Sequence, residues 1–419
     1  MGSLIDELKK KDKKGILNQN ISQVGYPTKL LPLDFMNGYQ VNVRDDDNTI
    51  LDRWANVGIF SGSFVTIVGK PGVAKTAFCV QTAANICRPF NESEIILLDL
   101  EISSNITRLT NLMGYTNKEL KRKFTYLNDF HYIEDIFKLV YHIAEIKLAN
   151  KAKCEVKRDR KNEFNEDIVE LAPTVIIIDS LAQVVTKDME GNDEIAGMTY
   201  AGRKARAIKD FYSRARPIMV KANIIIFAIN HLNAKIDINP MVKSQASIMY
   251  LKQDESTPGG NAPLYLAQTF WKFVQCGKFT KDKDGFNGFA VRAETIKSKT
   301  NQGGTSSVII YTSDHGFDPY KTLLYFLKEH NLIEGRNPYS YFRSKPELKF
   351  DSREFSDLCA NDTEFYKEAC RCAGPYLYAM LGNSDDLSDY DESDEEVSKR
   401  LSRSYELENN IEQTEVSLD

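Results

Sequence analysis

Residues 61–82 read SGSFVTIVGKPGVAKTAFCVQT. A short apolar strand, Phe64 to Val68, runs into a tight loop made of Gly69, Lys70, Pro71, Gly72, Val73 and Ala74. A helix then opens at Lys75-Thr76. In such a strand–loop–helix unit the loop amides point inward and the helix start carries partial positive charge, so together they bind a polyphosphate. Lys75 would reach the β- and γ-phosphates of a nucleotide, and the Thr76 hydroxyl would ligate Mg²⁺. The usual pattern G-x-x-x-x-G-K-[ST] has glycine before the lysine; here that position is Ala74, whose methyl disfavours positive φ. Taken alone, the stretch also reads as a plain glycine turn between strand and helix.

Three further apolar runs narrow the choice. Glu94–Leu100 is followed by Glu101, Thr174–Ile178 ends at Asp179, and Ile224–Ile229 ends at Asn230-His231. Helices are predicted through about Cys87, over Ile106 to Met113 with a stop at Gly114, over 134–150, and over about Gly202 to Lys221. In the third, Ile136, Leu139, Val140, Ile143 and Ile146 fall at helical spacing. Runs apolar on both faces belong to buried, mostly parallel strands, so the expected fold class is α/β, a twisted sheet covered by helices. Ligands of such sheets sit at the carboxyl ends of the strands. The loop 69–76, Glu101, Asp179 and His231 all fall there, and form one candidate site from four segments.

Each residue has a chemistry suited to that place. A carboxylate at Asp179 would hold Mg²⁺ through water opposite Thr76, with Ser180 assisting. Glu101 either orients water against the γ-phosphate or merely interacts with a helix dipole. Asn230 and His231 are placed to meet the γ-phosphate and report it to the segment that follows. That segment, Leu232 to Pro258, lacks periodicity and carries Lys235, Lys243 and Lys252 with Gln245, Ser247 and Tyr250. It closes on Gly259-Gly260-Asn261. A loop of such length in a compact domain is usually functional or disordered. A second glycine-bearing loop, Thr186 to Met198, follows the Asp179 strand. Two such loops on one face suit a ligand gripped only when nucleotide is bound.

The 419 residues amount to roughly two to three domains. No run of 18 apolar residues is present, so no membrane span is expected. The N-terminus lacks a signal-peptide core, and the seven cysteines lack metal spacing. These features predict reduced thiols and a cytoplasmic location, the host cytoplasm if the chain is viral. Charge is uneven. Residues 384–419 hold 13 acidic and three basic residues, a balance of −10, which leaves +5 on the rest. A polyanion partner for the body and a competing tail is one reading; a solvating disordered tail is the other. Residues 3–12 are predicted to form a short amphipathic helix that needs something to dock on. Residues 13–57 read as polar and mixed, and 151–167 as charged and irregular.

With these residues in place, the chain resembles the RecA-type DNA recombinases over about residues 20 to 345, and most closely their phage branch. The most specific piece is Gly259-Gly260-Asn261-Ala262-Pro263-Leu264-Tyr265, similar to the family's GGNA run at the end of its second DNA-binding loop. Next is Ile296-Lys297-Ser298-Lys299, similar to the family's lysine-x-lysine segment. The resemblance implies a RecA-like P-loop ATPase core, ATP and Mg²⁺ as cofactors, and Lys297 and Lys299 reaching across a subunit interface to a neighbour's ATP. It puts Glu101 at the catalytic glutamate, Asp179 at the Mg²⁺ aspartate and Arg108 by the adenine. It further implies DNA contacts at Lys235, Lys243, Lys252, Gly259, Gly260, Asn261, Gly191 and Arg203. His231 and Ala74 are the departures that favour the phage branch.

The implied organisation is an N-terminal docking helix and linker (1–50), the ATPase core (51–315), a small C-terminal α-rich domain (316–383) and an acidic disordered tail (384–419). The implied partners are single- and double-stranded DNA, further copies in a homo-oligomeric helical filament, a single-stranded-DNA-binding protein and a loading mediator. Two other readings use the same residues: a ring-shaped hexameric helicase of the superfamily, and a non-catalytic recombination mediator that keeps the fold.

Overall fold

The buried runs become strands because alternate side chains leave a strand on opposite faces. Val175 and Ile177 enter one apolar cluster while Ile176 and Ile178 enter another across the sheet. Ile225, Phe227 and Ile229 divide from Ile224, Ile226 and Ala228 in the same way. Both faces are covered, so neither set of positions tolerates polar residues, and the run stays apolar without interruption. The computed structural model describes residues 23–189, 198–234 and 255–381. The predicted helix 3–12, the tail 384–419, Gly191, Lys235, Lys243 and Lys252 lie outside these.

The central sheet has nine strands, numbered in chain order: β1 Phe64–Gly69, β2 Glu94–Asp99, β3 Phe124–Leu127, β4 Thr174–Asp179, β5 Ile224–His231, β6 Thr269–Phe279, β7 Gly288–Ser298, β8 Ser306–Thr312 and β9 Gly316–Phe317. Their order across the sheet is β9-β8-β7-β6-β1-β5-β4-β2-β3. From β6 to β3 every pairing is parallel; from β6 to β9 every pairing is antiparallel. The four predicted strands thus form the middle of a wider sheet. The remaining strands escape the apolar-run criterion because β3 is half-buried and β6 leaves the core after its first five residues.

On one face lies α1, Lys75–Cys87, with α2, Ile106–Met113, beside it. Gly114 ends α2 in the left-handed region at φ 61°, the conformation that glycine adopts without steric cost. On the other face lie α3, Ile133–Ala149, and α4, Met198–Ala222. The buried stripe of α3 is Ile133, Ile136, Val140, Ala144 and Lys147, and Ile146 is 64% exposed, contrary to the predicted apolar face. Lys147 takes the inward position because its ammonium donates to Ala172 O (2.6 Å), Thr174 Oγ1 (3.1 Å) and Asn223 O (3.2 Å).

Two irregular regions are in fact ordered hairpins. Within residues 13–57, strand Tyr39–Arg44 pairs with Ile50–Asn56 around the Asp45-Asp46-Asp47 turn, preceded by helix Leu31–Met36. The charged stretch 151–167 forms strand Glu155–Lys161, paired with Asp167–Leu171. Six of the seven residues of strand Glu155–Lys161 are charged, which hides the element from an apolar search. Its cations are engaged within the chain: Lys157 pairs with Asp167 at 2.6 Å, Lys153 with Glu92 at 3.2 Å, and Arg158 with Glu170 at 2.6 Å. Arg158 also lies over the rings of Tyr26 and Phe90, and Arg160 lies over Trp54, whose indole N–H donates to Lys161 O. Toward the C-terminus, helices Pro319–Glu329, Phe355–Asn361 and Thr363–Ala379 form a third apolar cluster, which Leu31 and Phe35 join from the N-terminal side.

Candidate nucleotide-binding cleft

The loop between β1 and α1 is shaped by three residues with different reasons to be there. A Cβ on Gly69 would lie 2.6 Å from the Phe273 carbonyl of β6, so the sheet itself excludes a side chain. Gly72 has open space around it but a φ of 84°, which only glycine adopts freely. Ala74 stands at φ 59°, ψ 31°, left-handed and immediately before the helix. Alanine there stores about 1–2 kcal/mol of strain. Val73 packs into the core, while Lys70 and Pro71 are exposed at the rim.

Lys75 is buried and its ammonium donates back to Gly69 O (2.9 Å) and Lys70 O (3.0 Å). Burial lowers its pKa, opposed by the carboxylates of Asp179 and Glu101. Thr76 Oγ1 donates to Asp179 Oδ2 at 2.5 Å, bridging from α1 to the end of β4. Burial pushes the Asp179 carboxyl up to about 6; the charges of Glu101 and Asp99 add to this and the Thr76 hydrogen bond opposes it. A hydroxyl and a carboxylate so placed are hard oxygen donors, the set that suits Mg²⁺. Among the described residues no cluster of three or more His, Cys, Asp or Glu is arranged to hold a metal. A cation here would therefore share its coordination with phosphate and water.

Glu101 is held from two sides. Ser180 Oγ donates to its Oε1 at 2.5 Å, and His231 Nε2 lies 2.7 Å from the same oxygen. β2, β4 and β5 are neighbours, so the residues at their ends necessarily meet. Asp99, the last residue of β2, accepts from Ser104 N (2.9 Å) and from the Tyr126 hydroxyl (2.9 Å), so it serves the loop leading to α2. The cleft has a volume of ≈430 Å³ and is lined by the loop, Glu101, Asp179, His231, Arg108, Phe289 and Tyr311.

Arg108 is exposed on α2 and its guanidinium donates to the Tyr311 hydroxyl. Phe289 and Tyr311 stack with centroids 4.8 Å apart. Sequence reasoning did not find this aromatic pair. It comes from β7 and β8, far along the chain, and only the antiparallel half of the sheet brings it beside α2.

Beyond the cleft, Asn230 turns away from the phosphate loop. Its Nδ2 donates to Pro258 O at 2.9 Å, and its Oδ1 accepts from His231 N at 2.9 Å. The end of β5 is thereby tied to the residue preceding Gly259-Gly260-Asn261. Those two glycines rest on α4: a Cβ on Gly259 would meet Ile208 Cδ1 at 2.5 Å, and one on Gly260 would meet Ala205 Cβ at 3.0 Å. Glu255 is anchored by the buried Lys272 at 2.8 Å, and the backbone pairs Asn233 with Ser256. Both ends of the 232–258 segment are thus fastened to the sheet. Arg203 is exposed on the amino-terminal half of α4.

Lys297 and Lys299 are not in this cleft. β7 runs antiparallel to β6, so Ser298 pairs with Thr269, where β6 begins, whereas the phosphate loop follows Gly69, which pairs with Phe273 further along β6. The two lysines stand at the opposite end of the sheet. Lys297 Nζ donates to Tyr265 O and to Ala267 O (3.1 Å); Lys299 is exposed. Burial and the neighbouring charges of Lys299 and Arg216 pull Lys297 down to about 8.

No helix among the described residues is long and apolar enough to cross a membrane. No family model matches the chain. The chain is 25% identical over 144 residues to DNA repair protein RAD51 homolog 2 of Mus musculus, covering 33% of this chain and 38% of that protein. It is 25% identical over 144 residues to the human homolog 2, covering 33% of this chain and 34% of that protein. It is 23% identical over 161 residues to mouse RAD51 homolog 4, covering 38% and 45%. The similarity therefore spans less than half the length of these relatives. None of the three is a phage protein, so they lend no support to the phage branch. What the chain shares is a weak homology to the RAD51 paralogues, a group of RecA-type proteins, together with an α/β sheet consistent with a RecA-like core.

Proposed function

We propose that this chain is an ATP-dependent DNA recombinase whose copies stack head to tail on single-stranded DNA and carry out homologous pairing and strand exchange with a duplex. One observation carries the reading: a bonded path leads from Glu101 through His231 and Asn230 to Pro258, at the threshold of Gly259-Gly260-Asn261. A nucleotide cleft with no macromolecular task has no use for such a path.

Residues 69–76 hold the phosphates, with Thr76 and Asp179 as the Mg²⁺ donors. Bound there, Mg²⁺-ATP supplies the reactive γ-phosphoryl group and the charge that the site must neutralise. Glu101, with Oε1 engaged by Ser180 and His231, offers Oε2 to take a proton from water. A shift of Glu101 moves His231, and Asn230 carries the movement to the DNA-contacting segment. Lys235, Lys243, Lys252, Gly191, Arg203 and Asn261 meet mainly DNA phosphates, so binding is salt-sensitive and indifferent to sequence. Lys297 and Lys299 act on the neighbour's nucleotide. A head-to-tail contact of this kind does not close and gives a helical filament. Residues 51–315 form the motor, 1–50 the docking arm, 316–383 an accessory domain and 384–419 an acidic competitor for the DNA groove. A single-stranded-DNA-binding protein and a loading mediator are the expected partners in the cytoplasm.

A second reading, a repair mediator that binds nucleotide without turning it over, is favoured by the strained Ala74. Steady-state ATP hydrolysis with Mg²⁺, measured with and without a single-stranded oligonucleotide, separates the two. The recombinase reading expects at least about tenfold stimulation by DNA; a rate that DNA leaves unchanged rejects it.

A further inference from the structure

Around Gln268, at the sheet end remote from the phosphate loop, three cations gather: Arg216 from α4, and Lys297 and Lys299 from the end of β7. Arg216 Nη2 donates to Gln268 Oε1 at 3.3 Å, Lys299 N donates to Gln268 O at 2.9 Å, and Gln268 is braced by Gln23 at 2.7 Å. Lys297 Nζ faces only carbonyls, those of Tyr265 and Ala267. Among the described residues no carboxylate is paired with any of the three. The second guanidinium nitrogen, Arg216 Nη1, is shielded from water and makes no hydrogen bond. A shielded N–H without a partner costs about 1–3 kcal/mol, more when charged, so such groups usually have an acceptor in the working state. Repulsion within the cluster is felt, since Arg216 lowers the pKa of both lysines after the larger effect of burial. Uncompensated cations with a planar donor among them fit a phosphate, which a guanidinium grips with two parallel N–H bonds.

We infer that Arg216 is the third cation of the interface that acts in trans, meeting the phosphates of the ATP held by the adjacent copy beside Lys297 and Lys299. The inference rests on the head-to-tail reading above and adds to it a residue on a different element. α4 carries both Arg216 and the seat of Gly259-Gly260 at Ala205 and Ile208. Ile208 to Arg216 is about 12 Å along one helix, so closure of the DNA-contacting segment and placement of the guanidinium share one rigid element.

The test mixes two defective full-length variants. Arg216→Gln keeps its own phosphate loop and Glu101, and Glu101→Gln keeps nucleotide binding and its own trans face. Each alone is expected to lose at least about 100-fold in hydrolysis of ATP on single-stranded oligonucleotide. Mixed in equal amounts, they should recover about a quarter of wild-type turnover, the share of interfaces in a random head-to-tail array that join the two intact faces. Arg216→Gln must also retain the wild-type melting temperature and nucleotide binding. A parallel mixture of Lys297→Ala/Lys299→Ala with Glu101→Gln is run beside it. Recovery in the lysine mixture alone means that Arg216 works within its own chain, which overturns the inference and leaves the interface reading standing. No recovery in either mixture overturns both. Full activity of Arg216→Gln by itself also overturns the inference.

Discussion

The two ends of the central sheet are built from opposite materials. At the carboxyl ends of the parallel strands, Glu101 and Asp179 flank one buried lysine, and each carboxylate has a partner from another element. At the other end, Arg216, Lys297 and Lys299 gather with no carboxylate in contact among the described residues, where one guanidinium nitrogen is also without a hydrogen bond. One end sets its cations against carboxylates, and the other has cations in surplus among the described residues. The difference teaches that neither end is a finished site. On the head-to-tail reading proposed above, a surface with surplus cations and a surface that would hold a triphosphate complete each other between two copies.

The comparison breaks most sharply at Lys75. Lys75→Ala should lower ATP hydrolysis by about 10³-fold and abolish nucleotide-dependent assembly, read by steady-state kinetics and light scattering. Normal assembly by this variant would mean that the acidic end does not govern the cationic one. Asn230→Ala should cut the bond to Pro258 while sparing the cleft. ATP should then still bind, but it should improve single-stranded DNA affinity by less than about threefold, instead of the tenfold or more expected of an allosteric link. Fluorescence anisotropy of a labelled oligonucleotide with and without ATP decides it.

The cationic end adds a dependence on pH. Lys297 titrates near 8 in the free chain, below the ordinary lysine range. A phosphate brought beside it raises that value, so assembly takes up protons above pH 8 and weakens as pH rises through about 8. Lys297→Arg keeps its charge there and should flatten this limb when sedimentation is followed across pH 7 to 9.5. The smallest effect is expected at Ala74. Ala74→Gly relieves the left-handed strain and should stabilise the chain or its nucleotide complex by about 1 kcal/mol, seen as a modest rise in melting temperature.

The acidic end was legible in the sequence because each of its parts is local. An uninterrupted apolar run stopping at Glu101, Asp179 or His231 announces a buried strand with a polar tip, and the Gly69–Thr76 loop announces itself. The bond from His231 to Glu101, the turn of Asn230 toward Pro258 and the stacked Phe289–Tyr311 pair were not legible. Each depends on which strand lies beside which, and nothing in the sequence says that β6 inserts next to β1 or that β7 then runs back. Lys297 and Lys299 were singled out by resemblance, whereas nothing in the sequence draws attention to Arg216 until α4 is laid against Gln268. The hairpin 155–171 was missed for a simpler reason. Both of its faces are rich in charge, so it lacks the apolar alternation that marks a half-buried strand.

That hairpin is more than an addition to the surface. Arg158 lies over both Tyr26 and Phe90, Trp54 reaches Lys161, and Arg44 N donates to Glu163 O. Insertion and amino-terminal hairpin therefore behave as a single brace, in which each holds the other's aromatic and basic side chains in place. Shortening the chain at this place would mean removing both segments together or neither.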